Sequence, residues 1–100
     1  MSLDEEVRAR VEQVIDDHLK DPIGIEDYYK GILIAQGIEP NLETILAFIA
    51  GNFLGLANAL YIVKFMRRMN NEEKNAFIEL MKRRAYELRE AFMLARVGST

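Results

Sequence analysis

The chain contains no cysteine. That absence excludes disulfides, thiolate zinc sites and a cysteine nucleophile together, and it fits a reducing compartment. Histidine is scarce too. His18 stands alone, so there is no pair of imidazoles for a metal and no Glu-x-x-His repeat of the di-iron bundle type. Proline occurs twice, at Pro22 and Pro40, and these with their neighbouring glycines are the only linker signals. No internal repeat, low-complexity tract or phosphate-cradling glycine loop is visible. The opening MSLDEEVRARVEQ is acidic and amphipathic, unlike the basic start, apolar run and small-residue cleavage site of an export signal. The expectation is a cytoplasmic protein that is not an enzyme and holds no cofactor or metal.

What is present is a folding composition. Half of the 100 residues are apolar and 29% are charged, enough for one domain with a single core. That domain is placed at residues 1–97, with a frayed tail at 98–100. The net charge of −3 is unevenly spread. Residues 1–43 hold eleven acids against four bases, and residues 44–100 hold nine bases against five acids. Acidic early helices packing beside basic late ones, within a chain or between two, suit that split better than nucleic-acid binding does.

The periodicity predicts four helices and no strands. In the first, Ser2 to about Lys20, Ser2 and Glu5 have capping-box spacing, and Leu3, Val7, Val11, Val14 and Ile15 share a face. Asp21-Pro22 ends it, because proline has no N–H to donate and pushes the preceding residue out of the helical region. A second, shorter helix turns Ile25, Tyr28, Tyr29, Ile32, Leu33 and Gln36 to one side, and Gly37 supplies a left-handed stop. Asn41 caps a third helix running from Leu42 to about Met69. Asn70 or Asn71 caps a fourth, with Glu72 and Glu73 in its first turn and its end near Arg96. Breaks are thus expected near 21–24, 37–41 and 69–71.

Within the third helix, Thr44 to Val63 runs for twenty residues without a charge. At about 1.5 Å per residue this matches the roughly 30 Å of a bilayer core, and a single span through residues 44–63 is one reading. Asn52 and Asn58, near mid-span and about 120° apart on the helix, argue against it, since unpartnered amides are costly in hydrocarbon. The preferred reading is an all-α, four-helix bundle-like domain with this helix as its most buried element. Ala47, Gly51, Gly55 and Ala59 form a small-residue row opposite the bulky Leu46, Ile49, Phe53 and Leu60. A four-helix monomer leaves one side of each helix wet, so a second copy is expected to complete the core as a homodimer.

Few residues suggest chemistry. Gly51, Asn52, Gly55 and Asn58 are candidates for a small pocket, and with Ala47 and Ala59 for an interface. His18 reads as a proton carrier or metal ligand on one view, and on the blander view as a half-buried side chain whose positive form suits a helix C-terminus. Arg84 interrupts the apolar face of the fourth helix, so its guanidinium needs an acid of the first helix or of a partner chain. If that pair is fully buried, Arg84→Ala costs about 3–5 kcal/mol. The four tyrosines read as core edges with wet hydroxyls. A helix-turn-helix around AQGIEPNLETI is rejected, because Glu43, Ile45, Leu46 and Phe48 would face the bases.

Together these features favour a homodimeric protein-interaction module. The alternatives are a ligand-binding or enzymatic bundle with a pocket near Gly51, Asn52, Gly55 and Asn58, and the single-span membrane protein.

Overall fold

The computed structural model describes residues 3–98, and the side chains of residues 3–95. Among them four helices, α1 (Glu5–Lys20), α2 (Pro22–Ala35), α3 (Leu42–Phe65) and α4 (Asn71–Gly98), make an all-α bundle-like fold, and all six helix pairs touch.

The helix ends follow from local hydrogen bonding. The expected Ser2 cap lies outside the described residues. Asp4 caps α1 instead, its carboxylate accepting from the Val7 N–H at 3.2 Å. The same carboxylate meets Lys64 Nζ at 2.9 Å, and the Asp4 N–H donates to the Tyr61 hydroxyl at 2.8 Å. Lys64 holds the Asp4 carboxyl below its ordinary value, so the start of α1 is tied to the end of α3. The break at Asp21 is a single residue, shorter than expected. Asp21 ends α1 and also caps α2 through the Gly24 N–H. Pro22 then sits at the first helical position, where a missing N–H costs nothing.

Gly37, at φ +75°, closes α2 with bonds from its own N–H to the Ile34 carbonyl and from the Ile38 N–H to that of Leu33. Asn41 caps α3 as expected, accepting from the Thr44 N–H at 2.9 Å. The end of α3 departs from expectation. It stops at Phe65, four residues early, because Met66 takes the left-handed conformation at φ 59°. Asn70 then forms a reciprocal capping box with Glu73, each side chain accepting from the other's N–H at 2.9 Å. The last helix continues to Gly98, beyond the expected Arg96.

The core is one cluster. Val7, Val11 and Ile15 of α1 meet Tyr29 and Leu33 of α2 and the row Ile45, Ile49, Phe53, Ala57 and Tyr61 of α3. Phe77, Leu80, Leu88 and Phe92 close it from α4. On α2 the buried face is rotated from that expected, since Tyr28 and Gln36 are exposed while Glu26 is buried. Glu26 is ion-paired to Lys30. Tyr61 is fully buried, which corrects the expectation of four wet tyrosine hydroxyls.

Glu73 is the other buried acid, and Arg67 reaches it with two bonds of 2.8 and 3.2 Å. The Arg67 hydrogen bond, against the opposing effect of burial and with help from the Asn70 N–H, brings the Glu73 carboxyl from 4.5 to about 2. A depressed folded value means the contribution is fully present above about pH 4.5 and is lost as pH falls through about 2. Arg67 is half exposed, so screening limits this contribution to about 1–2 kcal/mol. Glu73→Gln keeps the capping oxygen. It should therefore be less stable than wild type at neutral pH and approach it in acid, read by urea unfolding. A gap as wide at pH 2 as at pH 7 would contradict the assignment.

Candidate functional site

The open side of α3 is the outstanding feature. The buried residues repeat every four positions from Ile45 to Tyr61, along one of the oblique i±4 rows of a helix surface. On the opposite side Ala47, Gly51, Gly55 and Ala59 follow the same spacing, and all four are exposed. A Cβ added at Gly51 or Gly55 would meet nothing within 4 Å among the described residues. Leu54, Ile62 and Val63, the last 81% exposed, flank that row. Leu46 and Leu60, by contrast, pack against the core.

The bundle therefore covers the bulky side of α3 and leaves the small-residue side bare. Within the single chain, 28% of the helix's most apolar 18-residue window is buried. By length and composition it is apolar enough to cross a membrane.

The two asparagines do not share a site. Asn58 accepts from the Met69 N–H at 3.1 Å, which holds the link between α3 and α4 against the bundle. Asn52 donates to the Tyr29 hydroxyl at 3.4 Å. Tyr29 in turn lies 3.0 Å from His18 Nε2, and His18 Nδ1 lies 2.9 Å from the Val14 carbonyl. With the proton on Nδ1, His18 donates to Val14 and accepts from Tyr29, so every ring nitrogen is satisfied. Burial against Phe53 and Tyr29 pushes the imidazole below its ordinary value, against the raising effects of Val14 and Asp17. His18 is thus a neutral link among three helices, and the positive form expected at the helix end is disfavoured. Among the described residues no cluster of three or more metal-ligating side chains occurs.

Beside the open row, α3 and α4 diverge to form a groove of about 590 Å³. Leu46, Ala50, Gly51 and Leu54 line the α3 side, and Phe77, Ile78, Met81 and Ala85 line the α4 side. Asn58, the last lining residue of α3, and Lys74, the first of α4, stand at one end, and Lys82 also lines the groove. Of the four expected pocket residues only Gly51 and Asn58 reach this groove. The α4 residues were not anticipated; the small Ala85 among them is the one signal the sequence carries.

Arg84 meets acids of α1, as expected. It donates to Glu12 at 3.1 Å and to Asp16, and its Nε lies against the Glu87 carboxylate without hydrogen-bond geometry. Burial works against its charge, but Asp16 and Glu87 more than offset this and raise its pKa. The expected cost of losing it needs correction. The arginine side chain is 15% exposed, whereas Glu12, Asp16 and Glu87 are 33%, 58% and 51% exposed, so each stranded carboxylate keeps its water. Arg84→Ala should cost about 1–2 kcal/mol in urea unfolding; a loss above 3 kcal/mol would mean the acids are enclosed. A second link, Arg89 to Glu43 at 2.9 and 3.0 Å, joins α4 to the first turn of α3.

No protein-family model, curated protein or solved structure matches this chain. Its class is that of a small all-α bundle.

Proposed function

We propose that the chain is a cytoplasmic protein-interaction module that works as a homodimer, joined through the open side of α3. The observation that supports this reading is the exposed row Ala47, Gly51, Gly55 and Ala59, with open space where a Cβ would stand at either glycine and with exposed Leu54, Ile62 and Val63 flanking it. Small side chains let a second backbone come close, and a bare apolar helix face is what a twofold contact buries. The absence of cysteine makes the test clean. Gly51→Cys and Gly55→Cys chains, alone or mixed, should form a covalent dimer on mild oxidation. Tyr86→Cys, exposed on α4, should not. Equal cross-linking from all three would remove the support for this face.

A second reading, ligand binding in the α3–α4 groove, is favoured by that groove's volume and apolar lining. About 300–1,000 Å³ is the usual size of a small-molecule site.

A further inference from the structure

The α3–α4 groove carries charge of one sign only. Its two charged lining residues are Lys74 and Lys82, and no Asp or Glu lines it. Lys82 has Glu79 at 3.6 Å. Lys74 has no acid partner among the described residues, and it sits at the same end of the groove as Asn58. The Asn58 oxygen is engaged by the Met69 N–H. That bond fixes the amide's orientation and leaves its NH₂ as a donor without a partner among the described residues. One end of an apolar trough thus holds an ammonium and an amide, with no carboxylate in the lining.

Apart from Lys82 the rest of the lining is apolar. Along α3 it runs from Asn58 back to Leu46, twelve residues or about 18 Å at 1.5 Å per residue. An acyl chain spanning one leaflet of a bilayer, half of its roughly 30 Å core, covers a similar distance. Small residues line both sides, Ala50 and Gly51 from α3 and Ala85 from α4.

We infer that this groove binds a free long-chain aliphatic carboxylate, with its head between Lys74 and Asn58 and its tail lying toward Leu46 and Leu88. The inference rests on the ligand-binding reading of the groove. Charge complementarity selects the head group and the length of hydrocarbon lining selects the tail.

The test is calorimetric titration of the full chain with decanoate, myristate and myristyl alcohol, each below its self-association concentration. Wild type should bind myristate saturably, with affinity rising about two- to fourfold per methylene from decanoate upward. Lys74→Glu, at an exposed side chain with no partner to lose, should weaken myristate at least tenfold and leave the alcohol unchanged. Ala85→Leu, which fills the trough from α4 without changing any residue of the open row of α3, should weaken both ligands, with urea unfolding confirming an intact fold. If acid and alcohol bind alike and Lys74→Glu changes neither, the carboxylate assignment fails while the groove stands. If neither ligand saturates, or Ala85→Leu has no effect on either, the groove reading fails as well. Adsorption to anionic vesicles without binding of monomeric myristate also overturns the inference.

Discussion

Gly55→Leu should abolish the proposed dimer and leave a well-folded monomer, raising the dissociation constant by about 100-fold or more, equivalent to roughly 3 kcal/mol. Two effects of opposite sign make this diagnostic. Within the chain a Cβ at this position meets nothing within 4 Å, and replacing a glycine in a helix interior by leucine relieves a propensity penalty of up to about 1 kcal/mol. The fold should therefore be as stable as before, or slightly more so. Between chains the same side chain fills the space that close backbone approach requires. Leu60→Glu supplies the contrast. Leu60 packs against the core, so a charge there should destabilise the bundle without selectively blocking association. A Gly55→Leu chain that stays dimeric would place the contact elsewhere.

Phe53→Ala should cost about 3–5 kcal/mol, the usual penalty for emptying a phenylalanine site in a core. Phe53 is 2% exposed and sits in the middle of the buried row of α3. Its ring also meets the His18 imidazole edge-on at 5.0 Å between centroids. Against a typical total of about 5–15 kcal/mol, such a loss is a large fraction of the stability. It has a second readout. Burial is the main cause that lowers the His18 pKa, so opening this cavity to water should move the imidazole back toward its ordinary value, visible by NMR titration. A loss under about 1.5 kcal/mol with an unmoved His18 would mean the core closes over the gap.

Helix number and the positions of most helix ends were legible in the sequence, because their signals are local. Asp21-Pro22, Gly37, Asn41 and Asn70 each act through bonds within a few residues of themselves. The end of α3 was not legible. Met66 adopts a conformation usually left to glycine, and nothing in its side chain announces that. The tilt of the buried face on α2 is not legible for a different reason, since which tyrosine is buried is set by His18 of α1 and Phe48 and Asn52 of α3, all of which meet Tyr29.

The candidate site shows the same division. The partner helix of Arg84 followed from its place on an apolar face, but its energetic weight depends on how wet Glu12, Asp16 and Glu87 are. Asn52 and Asn58 looked like one polar pocket because they share a helix. The fold sends one toward Tyr29 and the other toward Met69. The groove lies between two helices, so no pattern within α3 alone reveals it.

The central claim is that the bare side of α3 is the contact with a second copy. Sedimentation equilibrium of the wild-type chain in detergent-free buffer, across micromolar concentrations, tests it most directly. The account predicts a soluble species of about twice the 11.5 kDa chain mass, reverting to one chain mass in Gly55→Leu. A wild type that sediments as a folded monomer throughout that range, or that stays in solution only with detergent, would contradict it.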